Sequence, residues 1–490
     1  MGGKYRTVIK QSKKLLDKYS NMSTEVKASM AYTICNILTR CLSFITLPLF
    51  TRLMTTEDYG LSTVYASTAA IVAIFTSLQL PYGTLSTAMI KFKDDRKGYL
   101  SSICSITAVL TIFYLLCCIL LKNAMVKWLD LPFSLIILIG IEMLFTTATS
   151  AWMGYQRFEF KYKSVVLVTL GTSIVGVIVS LIAVVVSSEK GIAKVYSYSF
   201  VACTVGFILF IWILKNGRKP FEKKYWKFAL SFNIPLIPYY LSQVVFNQSD
   251  RLMINNICGR GYAAIYGVAY NLAMILTFVV TSIHSSYTPW IFERIGRREL
   301  QDNRKVTVLL SSGIAFMLLG IIALAPEVIY VMAGEQYASA VWVVPPVTMS
   351  LLLLYYSDLF DCLLFFYEAK IFLAIGAIVS AVINIILNYI FIPRFGFVVA
   401  GYTTLISYLL LALIDYLYML KICREHDIDK NLYNIKGLIL VFIVFAGLGF
   451  TAMSLYEYPL VRYLIITIVF ILMIIFRKKL FELYKVMKRK

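Results

Sequence analysis

Two charged residues lie deep inside apolar stretches of this sequence, where a charge is costly. Arg40 lies about 12 residues into the stretch 28–50, a depth of about 18 Å along a helix. Glu142 lies at a similar depth in the stretch 131–152. A charge at such a depth usually faces a cavity or a partner. Two interpretations stay open: Arg40 binds an anionic group of a substrate, or Arg40 and Glu142 form a structural ion pair.

Two further arginines occur in a short repeated motif, because Arg-Leu-Met begins at both Arg52 and Arg251. Each arginine is expected at the outer end of a helix. The planar guanidinium fork suits phosphate, whereas snorkelling to lipid headgroups is the alternative interpretation. Asn247 and Asp250 belong to the second copy of the motif, where Asp250 would partly neutralise its neighbour. We therefore take these four residues as candidates for substrate binding.

Acidic residues near the expected cytoplasmic helix ends are candidates for ion coupling. Asp358 and Asp361 are three residues apart and so share one face of a helix. They suit either proton coupling or a solvated helix end, and Asp415 receives no role. The chain has two histidines, His284 and His426, and no cluster with the spacing of a metal site. A phosphate-binding Gly-rich motif is also missing, so we expect no cofactor and no metal.

Apolar blocks that could position these residues recur along most of the chain. Of its 490 residues, 60% are hydrophobic and 15% are charged, against about 45–50% and about 25% in soluble proteins. Each block can cross a hydrocarbon layer of about 30 Å as a helix. The expected spans are 28–50, 60–82, 100–121, 131–152, 165–187, 192–214, 226–249, 262–289, 306–325, 338–365, 370–392, 397–420, 435–455 and 460–476.

Basic residues fall mainly on one side of these spans, which predicts the orientation. With the N-terminus inside, 37 of the 47 lysines and arginines lie on the inner side and nine on the outer side. Both termini are therefore expected in the cytoplasm. The net charge of +21 is explained by short loops and basic tails, so we expect no nucleic acid partner.

The repeated arginine motif predicts the domain organisation, because six spans separate its copies and both copies therefore start inside. We expect an all-α polytopic membrane protein with about fourteen transmembrane helices. Two six-helix lobes, related by a parallel repeat, would surround a central cavity, and two C-terminal helices would follow. The expected boundaries are a basic tail at 1–27, lobes at 28–214 and 226–420 joined by a linker at 215–225, a loop at 421–434, helices within 435–476 and a tail at 477–490.

Four stretches carry a resemblance to a known family, which covers about residues 25–420. Residues 47–61, Leu-Pro-Leu-Phe-Thr-Arg-Leu-Met-Thr-Thr-Glu-Asp-Tyr-Gly-Leu, resemble the end of helix 1 in polysaccharide flippases of the multidrug/oligosaccharidyl-lipid/polysaccharide (MOP) exporter superfamily. Stretches 247–253, 289–293 and 383–396 are similar to other parts of that family. Together with the fourteen spans, they identify the chain as a member of this family.

The resemblance implies a function. Such proteins move a polyprenyl-diphosphate-linked oligosaccharide from the cytoplasmic to the outer leaflet of the bacterial cytoplasmic membrane, by alternating access of two lobes. The expected partners are this lipid, membrane lipids and other polysaccharide-assembly proteins, with a proton or a sodium ion left open as the coupling ion. In related flippases the cavity is cationic, which agrees with Arg40 and the two motif arginines.

Two other functions remain as alternatives. A cation-coupled multidrug or metabolite antiporter of the same superfamily would have the same lobes, but an exporter of cationic drugs needs a carboxylate in its cavity, and the deepest charge of the first span is Arg40. A membrane-embedded glycosyltransferase or ligase usually needs a large external loop. Every outer loop expected here is short, so we expect a transporter and not an enzyme.

Overall fold

The computed structural model of this chain describes residues 22–468, which contain helices and no strand. Thirteen helical stretches of the described residues are long and apolar enough to cross a membrane, and two of them, Lys223–Cys258 and Arg260–Arg297, each combine two helices. Many large apolar side chains on them are exposed, as Val186 is at 81%, which suits contact with lipid. The chain is thus a multi-pass all-α membrane protein, as predicted. The expected fourteenth span begins in the short apolar helix Pro459–Ile468, and its remainder lies outside the described residues, with the C-terminal tail and most of the N-terminal tail.

The described residues form two compact units, of which the first extends to Ala264. Its helices are α1 (Thr24–Leu53), α2 (Thr56–Ser77), α3 (Leu80–Gly83), α4 (Leu85–Lys91), α5 (Arg96–Leu120), α6 (Lys122–Leu129), α7 (Phe133–Phe158), α8 (Tyr162–Val186), α9 (Lys190–Gly217), α10 (Lys223–Asn233) and α11 (Ile237–Cys258). Helix α12 (Arg260–Met274) contains the boundary with the second unit. The lobe boundary expected at 215–225 stays a prediction.

Local sequence explains where the first helices begin. The side chain of Ser23 caps α1 by accepting a hydrogen bond from the backbone N–H of Val26. Thr55 and Asp58 form a reciprocal capping box at the start of α2, so two of the free N–H groups at that helix end are satisfied. Pro235 lies in a single 3-10 turn, Ile234–Leu236, between α10 and α11. The span expected at 226–249 is therefore interrupted at this turn.

Helix α5 is tied to α10 in the core of the first unit. Asp95, just before α5, accepts hydrogen bonds from Lys219 (2.7 Å) and from the Tyr225 hydroxyl (2.6 Å). The hydrogen bond and charge of Asp95 raise the pKa of Lys219. Deeper in the core, Thr84 accepts hydrogen bonds from the Tyr99 hydroxyl and from the Asn233 amide. Polar groups therefore hold α10 against the bundle although this helix is short.

The second unit begins at Ile265. Its further helices are α13 (Thr277–Arg297), α14 (Asn303–Ala323), α15 (Ala325–Ala333), α16 (Val344–Phe366), α17 (Lys370–Phe395), α18 (Val399–Glu425), α19 (Ile435–Ser454) and α20 (Pro459–Ile468). Helix α16 is the most buried of these and packs against α13, α14, α17, α18 and α19. The span expected at 338–365 starts later than predicted, because a 3-10 segment, Glu335–Trp342, precedes the helix.

Buried polar contacts join neighbouring helices of the second unit. Asn388 of α17 accepts a hydrogen bond from Thr403 of α18, and its amide donates to Asn384 one turn earlier (3.2 Å). Near the start of α14, Asn303 accepts a hydrogen bond from the Tyr287 hydroxyl (2.7 Å) and donates to the carbonyl of Leu432 (2.8 Å). These contacts fix the relative rotation of α13, α14, α17 and α18, which positions the carboxylates described below.

Candidate functional site

The carboxylate of Glu142 lies among hydroxyl groups from two other helices of the first unit. Its Oε2 accepts hydrogen bonds from the Tyr65 hydroxyl of α2 (2.6 Å) and from Ser199 of α9 (2.6 Å). Both donors are buried, at 6% and 1% exposure. Two hydroxyl donors on one oxygen compensate much of the cost of holding a carboxylate at membrane depth. The other oxygen of this carboxylate, Oε1, is not left buried without a hydrogen-bond partner.

Arg40 does not form the ion pair with Glu142 that was one of the two interpretations of the sequence. It lies on an exposed face of α1, and α1 packs mainly against α8. Among the ion pairs of residues 22–468, none joins Arg40 to Glu142. The reason is helix order, because α7 directs Glu142 towards α2 and α9.

Cationic side chains gather around the C-terminal end of α1. Arg52 is exposed in the last turn of α1. The ammonium group of Lys190 donates a hydrogen bond to the Leu53 carbonyl (2.7 Å). A carbonyl at a helix C-terminus carries partial negative charge, so Lys190 is well placed there. One turn further along α9, Lys194 approaches the same end of α1. We refer to Arg52, Lys190, Lys194 and Arg251 as the cationic cluster.

Lys194 has an unusual environment for a lysine. Its Nζ donates a hydrogen bond to the Ser62 hydroxyl (3.0 Å). The same atom lies 4.0 Å from the centroid of the Tyr59 ring and 4.6 Å from that of Phe50, which are favourable cation–π distances. No carboxylate in the described part of the chain forms an ion pair with Lys194. Its described contacts are therefore with one hydroxyl group and two aromatic rings.

Arg251 joins this region from α11, which packs against α2. Its Nη1 donates a hydrogen bond to Oε1 of Gln248 (2.7 Å), and Ser67 of α2 donates to the same oxygen (3.0 Å). Arg251 also interacts electrostatically with Tyr59, the residue whose ring faces Lys194. Tyr59 therefore lies within electrostatic range of Arg251 and in ring contact with Lys194.

The other residues of the second arginine motif have different positions. Asp250 is 2% exposed and so lies inside the first unit. Asn247 is half-buried, and its amide donates a hydrogen bond to the Gln243 carbonyl one turn earlier (2.7 Å). That bond is local to α11, so its role as a substrate-binding residue stays a prediction.

Acidic groups line a small pocket near the cationic cluster. The pocket has a volume of about 270 Å³ and is lined by Glu57, Asp58, Leu61, Ser188, Glu189, Gly191, Ile192 and Arg260. Most of these acids already have structural roles. Asp58 accepts a hydrogen bond from the Gly191 N–H (3.1 Å), Glu57 accepts one from the Gly261 N–H (3.0 Å), and Arg260 pairs with Asp130 (2.8 Å). The residues that line the pocket therefore hold the N-terminal ends of α2, α9 and α12 in place.

In the second unit, Asp358 and Asp361 lie in the C-terminal half of α16. Both are half-buried, so proton coupling and a solvated helix end both stay predictions. The Asp358 carbonyl contacts Nε2 of His284 (3.1 Å). Within residues 22–468, no group of three or more His, Cys, Asp or Glu side chains lies close enough together to hold a metal ion.

Sequence reasoning missed Lys194, Tyr65, Ser199 and Gln248. Lys194 is one of the nine outer basic residues, and its position one turn inside an apolar helix is a signal that the sequence contains. The hydroxyl and amide residues gave no signal, because serine, tyrosine and glutamine are common in membrane helices as packing residues. Their importance depends on which helices are neighbours.

The sequence profile of a family described as "Polysaccharide biosynthesis protein" matches residues 26–295, which is more than half of the chain. No curated protein sequence matches the chain significantly. Among solved structures, a lipid II flippase, MurJ, in an inward closed conformation is similar with a TM-score of 0.66 and 14% identity. The similarity covers 92% of this chain and 100% of that one.

Two solved multidrug transporters are also similar in fold. An inward-facing MATE family transporter of the MOP superfamily gives a TM-score of 0.59 at 13% identity, covering 78% of this chain and 96% of that one. A MATE protein in complex with MaD3S gives 0.51 at 12% identity, covering 82% and 96%. At such identities the likeness concerns the fold. By the family match over residues 26–295, the chain belongs to the polysaccharide biosynthesis protein family, within a fold shared by flippases and multidrug transporters of the MOP superfamily.

Proposed function

We propose that this protein is a flippase that moves a polyprenyl-diphosphate-linked oligosaccharide from the cytoplasmic to the outer leaflet of a bacterial cytoplasmic membrane by alternating access. The observation that carries the proposal is the family match, which connects a transporter fold to polysaccharide biosynthesis. A flippase fold alone would leave the substrate open. A family that serves polysaccharide assembly favours a lipid-linked sugar, and the solved lipid II flippase acts on a substrate of that kind.

The cationic cluster supports the choice of a diphosphate substrate. A diphosphate cannot cross hydrocarbon unaided, because transferring an unpaired charge into the membrane costs several kcal/mol. Lys194 forms no ion pair with a carboxylate in the described part of the chain, and it contacts the end of α1 at which Arg52 is exposed. Arginine binds phosphate through two parallel hydrogen bonds, and lysine contributes a point charge. We assign Arg40, on the exposed face of the same helix as Arg52, to an earlier contact along the path of the headgroup.

The membrane potential would favour this direction of transport. With the inside negative, outward movement of one negative charge is favoured by about 2.3 kcal/mol per 100 mV. A diphosphate carries more than one such charge, so the potential contributes substantially to export. The N- and C-termini would lie in the cytoplasm, because the basic loops then lie on the inner side.

The test is mass spectrometry of lipid extracts from source cells that lack the gene and carry plasmid-borne variants. Without the gene, a polyprenyl-diphosphate oligosaccharide should accumulate and a surface polysaccharide should disappear. Arg40→Ala and Lys194→Ala should reproduce this at normal protein levels, since each removes a charge that meets the diphosphate. The control is Lys127→Ala, which removes an exposed cation of α6 and should restore export.

Two results would contradict the proposal, and a third would correct only the role of its cations. Unchanged lipids and surface sugars in cells without the gene would exclude the flippase. If such cells became sensitive to cationic drugs instead, the antiporter alternative would replace it. Full export by Lys194→Ala and Arg40→Ala would keep the flippase and remove these two cations from its mechanism.

A further inference from the structure

Two separate segments of the first unit form one basic surface at the ends of its helices. Residues 91–97 run from the end of α4 into α5, and residues 215–227 run from the last turn of α9 into α10. Together they contain nine exposed lysine and arginine side chains, whereas their acids are only Asp94, Asp95 and Glu222. We refer to these nine exposed side chains as the basic patch. Its charge is strongly positive, because the cations greatly outnumber the carboxylates.

Contacts between the two segments fix the backbone that carries the basic patch. Asp95 accepts a hydrogen bond from the ammonium group of Lys219 (2.7 Å), and the Ser102 hydroxyl of α5 donates to the Lys219 carbonyl (2.6 Å). A Cβ atom on Gly217 would lie 2.3 Å from the backbone oxygen of Lys97, so the end of α9 closely approaches the start of α5. The patch is therefore a surface built from two packed segments and not a free loop.

Aromatic side chains lie among these cations. The Nζ atom of Lys91 is 4.5 Å from the centroid of the Phe228 ring, and that of Lys224 is 5.4 Å from the centroid of Phe92. Such ring contacts position a lysine without neutralising its charge. Phe221, in the same segment, is 72% exposed. Because exposing an apolar ring to water is unfavourable, this position suits a partner that offers an apolar layer beside negative charge.

The basic patch lies at the level where membrane spans end. Lys97 is in the first turn of α5 and Lys215 is in the last turn of α9, and both helices belong to candidate spans. Phospholipid headgroups border the ends of such spans, and aromatic rings are enriched at the same level. The distribution of basic residues predicts that these ends face the cytoplasm, where the leaflet has a negative surface potential.

We propose that the basic patch binds the anionic headgroups of phospholipids in the leaflet that borders it. The lysines supply point charges to the headgroups, and the Phe221 ring enters the apolar edge of the same leaflet. An acidic protein would match the charge of the patch, whereas a lipid surface matches both the charge and the exposed ring. This inference goes beyond the proposed function, because it involves no lipid-linked sugar.

The test is native mass spectrometry of the purified full-length protein in detergent, titrated with phosphatidylglycerol or with phosphatidylcholine. The wild type should bind the anionic phosphatidylglycerol more tightly, and added salt should reduce the difference. The variant combines Lys93→Gln, Lys223→Gln and Lys227→Gln, which change exposed lysines that belong to no ion pair of the described residues.

The expected loss follows from the positions of these lysines. Lys223 and Lys227 are one turn apart on α10, so one headgroup can meet both. Since a lysine close to an anionic membrane surface contributes about fivefold to affinity, the triple variant should bind phosphatidylglycerol at least about tenfold more weakly than the wild type. Its binding of phosphatidylcholine should change much less, because that headgroup has no net charge.

The matched control combines Arg424→Gln, Lys430→Gln and Lys436→Gln, which remove the same charge from exposed positions of the second unit. This control should keep the wild-type preference for phosphatidylglycerol, and thermal unfolding without added lipid checks that both variants are folded. Equal binding of the two lipids by the wild type would overturn the proposal and favour an acidic protein as the partner. An equal loss in both triple variants would also overturn it, because the net charge of the chain would then decide the binding.

Discussion

Tyr65→Phe should weaken the first unit by an amount that reveals the charge of Glu142. The substitution removes one of two hydroxyls that donate to the same carboxylate oxygen, and Ser199 remains as the other donor. A hydrogen bond to a charged group contributes about 1.5–3 kcal/mol. Neutral side-chain hydrogen bonds between transmembrane helices average about 0.6 kcal/mol. The coupling between Tyr65 and Glu142 should therefore be about 2 kcal/mol with an ionised Glu142 and about 0.6 kcal/mol with a neutral one.

A double-mutant cycle isolates this coupling energy. The variants are Tyr65→Phe, Glu142→Leu and the double variant, since leucine removes the acceptor at similar volume. Reversible unfolding of the purified protein in mixed micelles gives the free energy of unfolding for each. The control cycle combines Tyr65→Phe with Glu57→Gln, because Glu57 caps the Gly261 N–H and does not contact Tyr65.

The cycle has a clear refuting result. We expect the control cycle to be additive within about 0.5 kcal/mol. A coupling below about 1 kcal/mol between Tyr65 and Glu142 would refute an ionised Glu142 held by hydroxyls.

Two further predictions concern close packing and a buried charge. Gly60→Ala should sharply reduce the amount of folded protein on a membrane immunoblot, because a Cβ there would lie 2.2 Å from the backbone oxygen of Arg260. The control, Gly171→Ala, has open space around the added Cβ and should accumulate normally. Glu327→Ala should lower the free energy of unfolding by about 3–5 kcal/mol, because Arg462, 3% exposed, loses its ion-pair partner; a loss below about 1 kcal/mol in the same unfolding assay would contradict this reasoning.

The transmembrane helices could be predicted from sequence because a single physical quantity defines them. Apolar length against the thickness of hydrocarbon gave thirteen spans that the structure confirms, including Ile435–Ser454 where 435–455 was predicted. The helix ends differ where the chain uses local geometry. For example, the span expected at 60–82 ends as a helix at Ser77, because Leu78 and Gln79 adopt positive φ values. Hydropathy contains no information about such turns.

The partners of the charged residues could not be predicted in the same way. Depth along a helix suggested Arg40 for Glu142, since both lie near the middle of their spans. Whether two side chains meet also depends on helix rotation and on which helices are neighbours, and neither follows from one sequence. The structure places α7 against α2 and α9, so hydroxyl groups reach Glu142 instead. The hydrogen bond from Ser357 of α16 to Asp415 of α18 was unpredictable for the same reason.

The way Glu142 is stabilised has a consequence for the cations of the first unit. A carboxylate at membrane depth paired with a lysine or arginine would remove one positive charge from any anion path. Here two hydroxyls satisfy Glu142, and Lys194 is held by a hydroxyl and aromatic rings. The carboxylate therefore consumes none of the described positive charge. An anionic headgroup that reached Lys194 would meet a cation that need not first break an ion pair, which lowers the cost of binding.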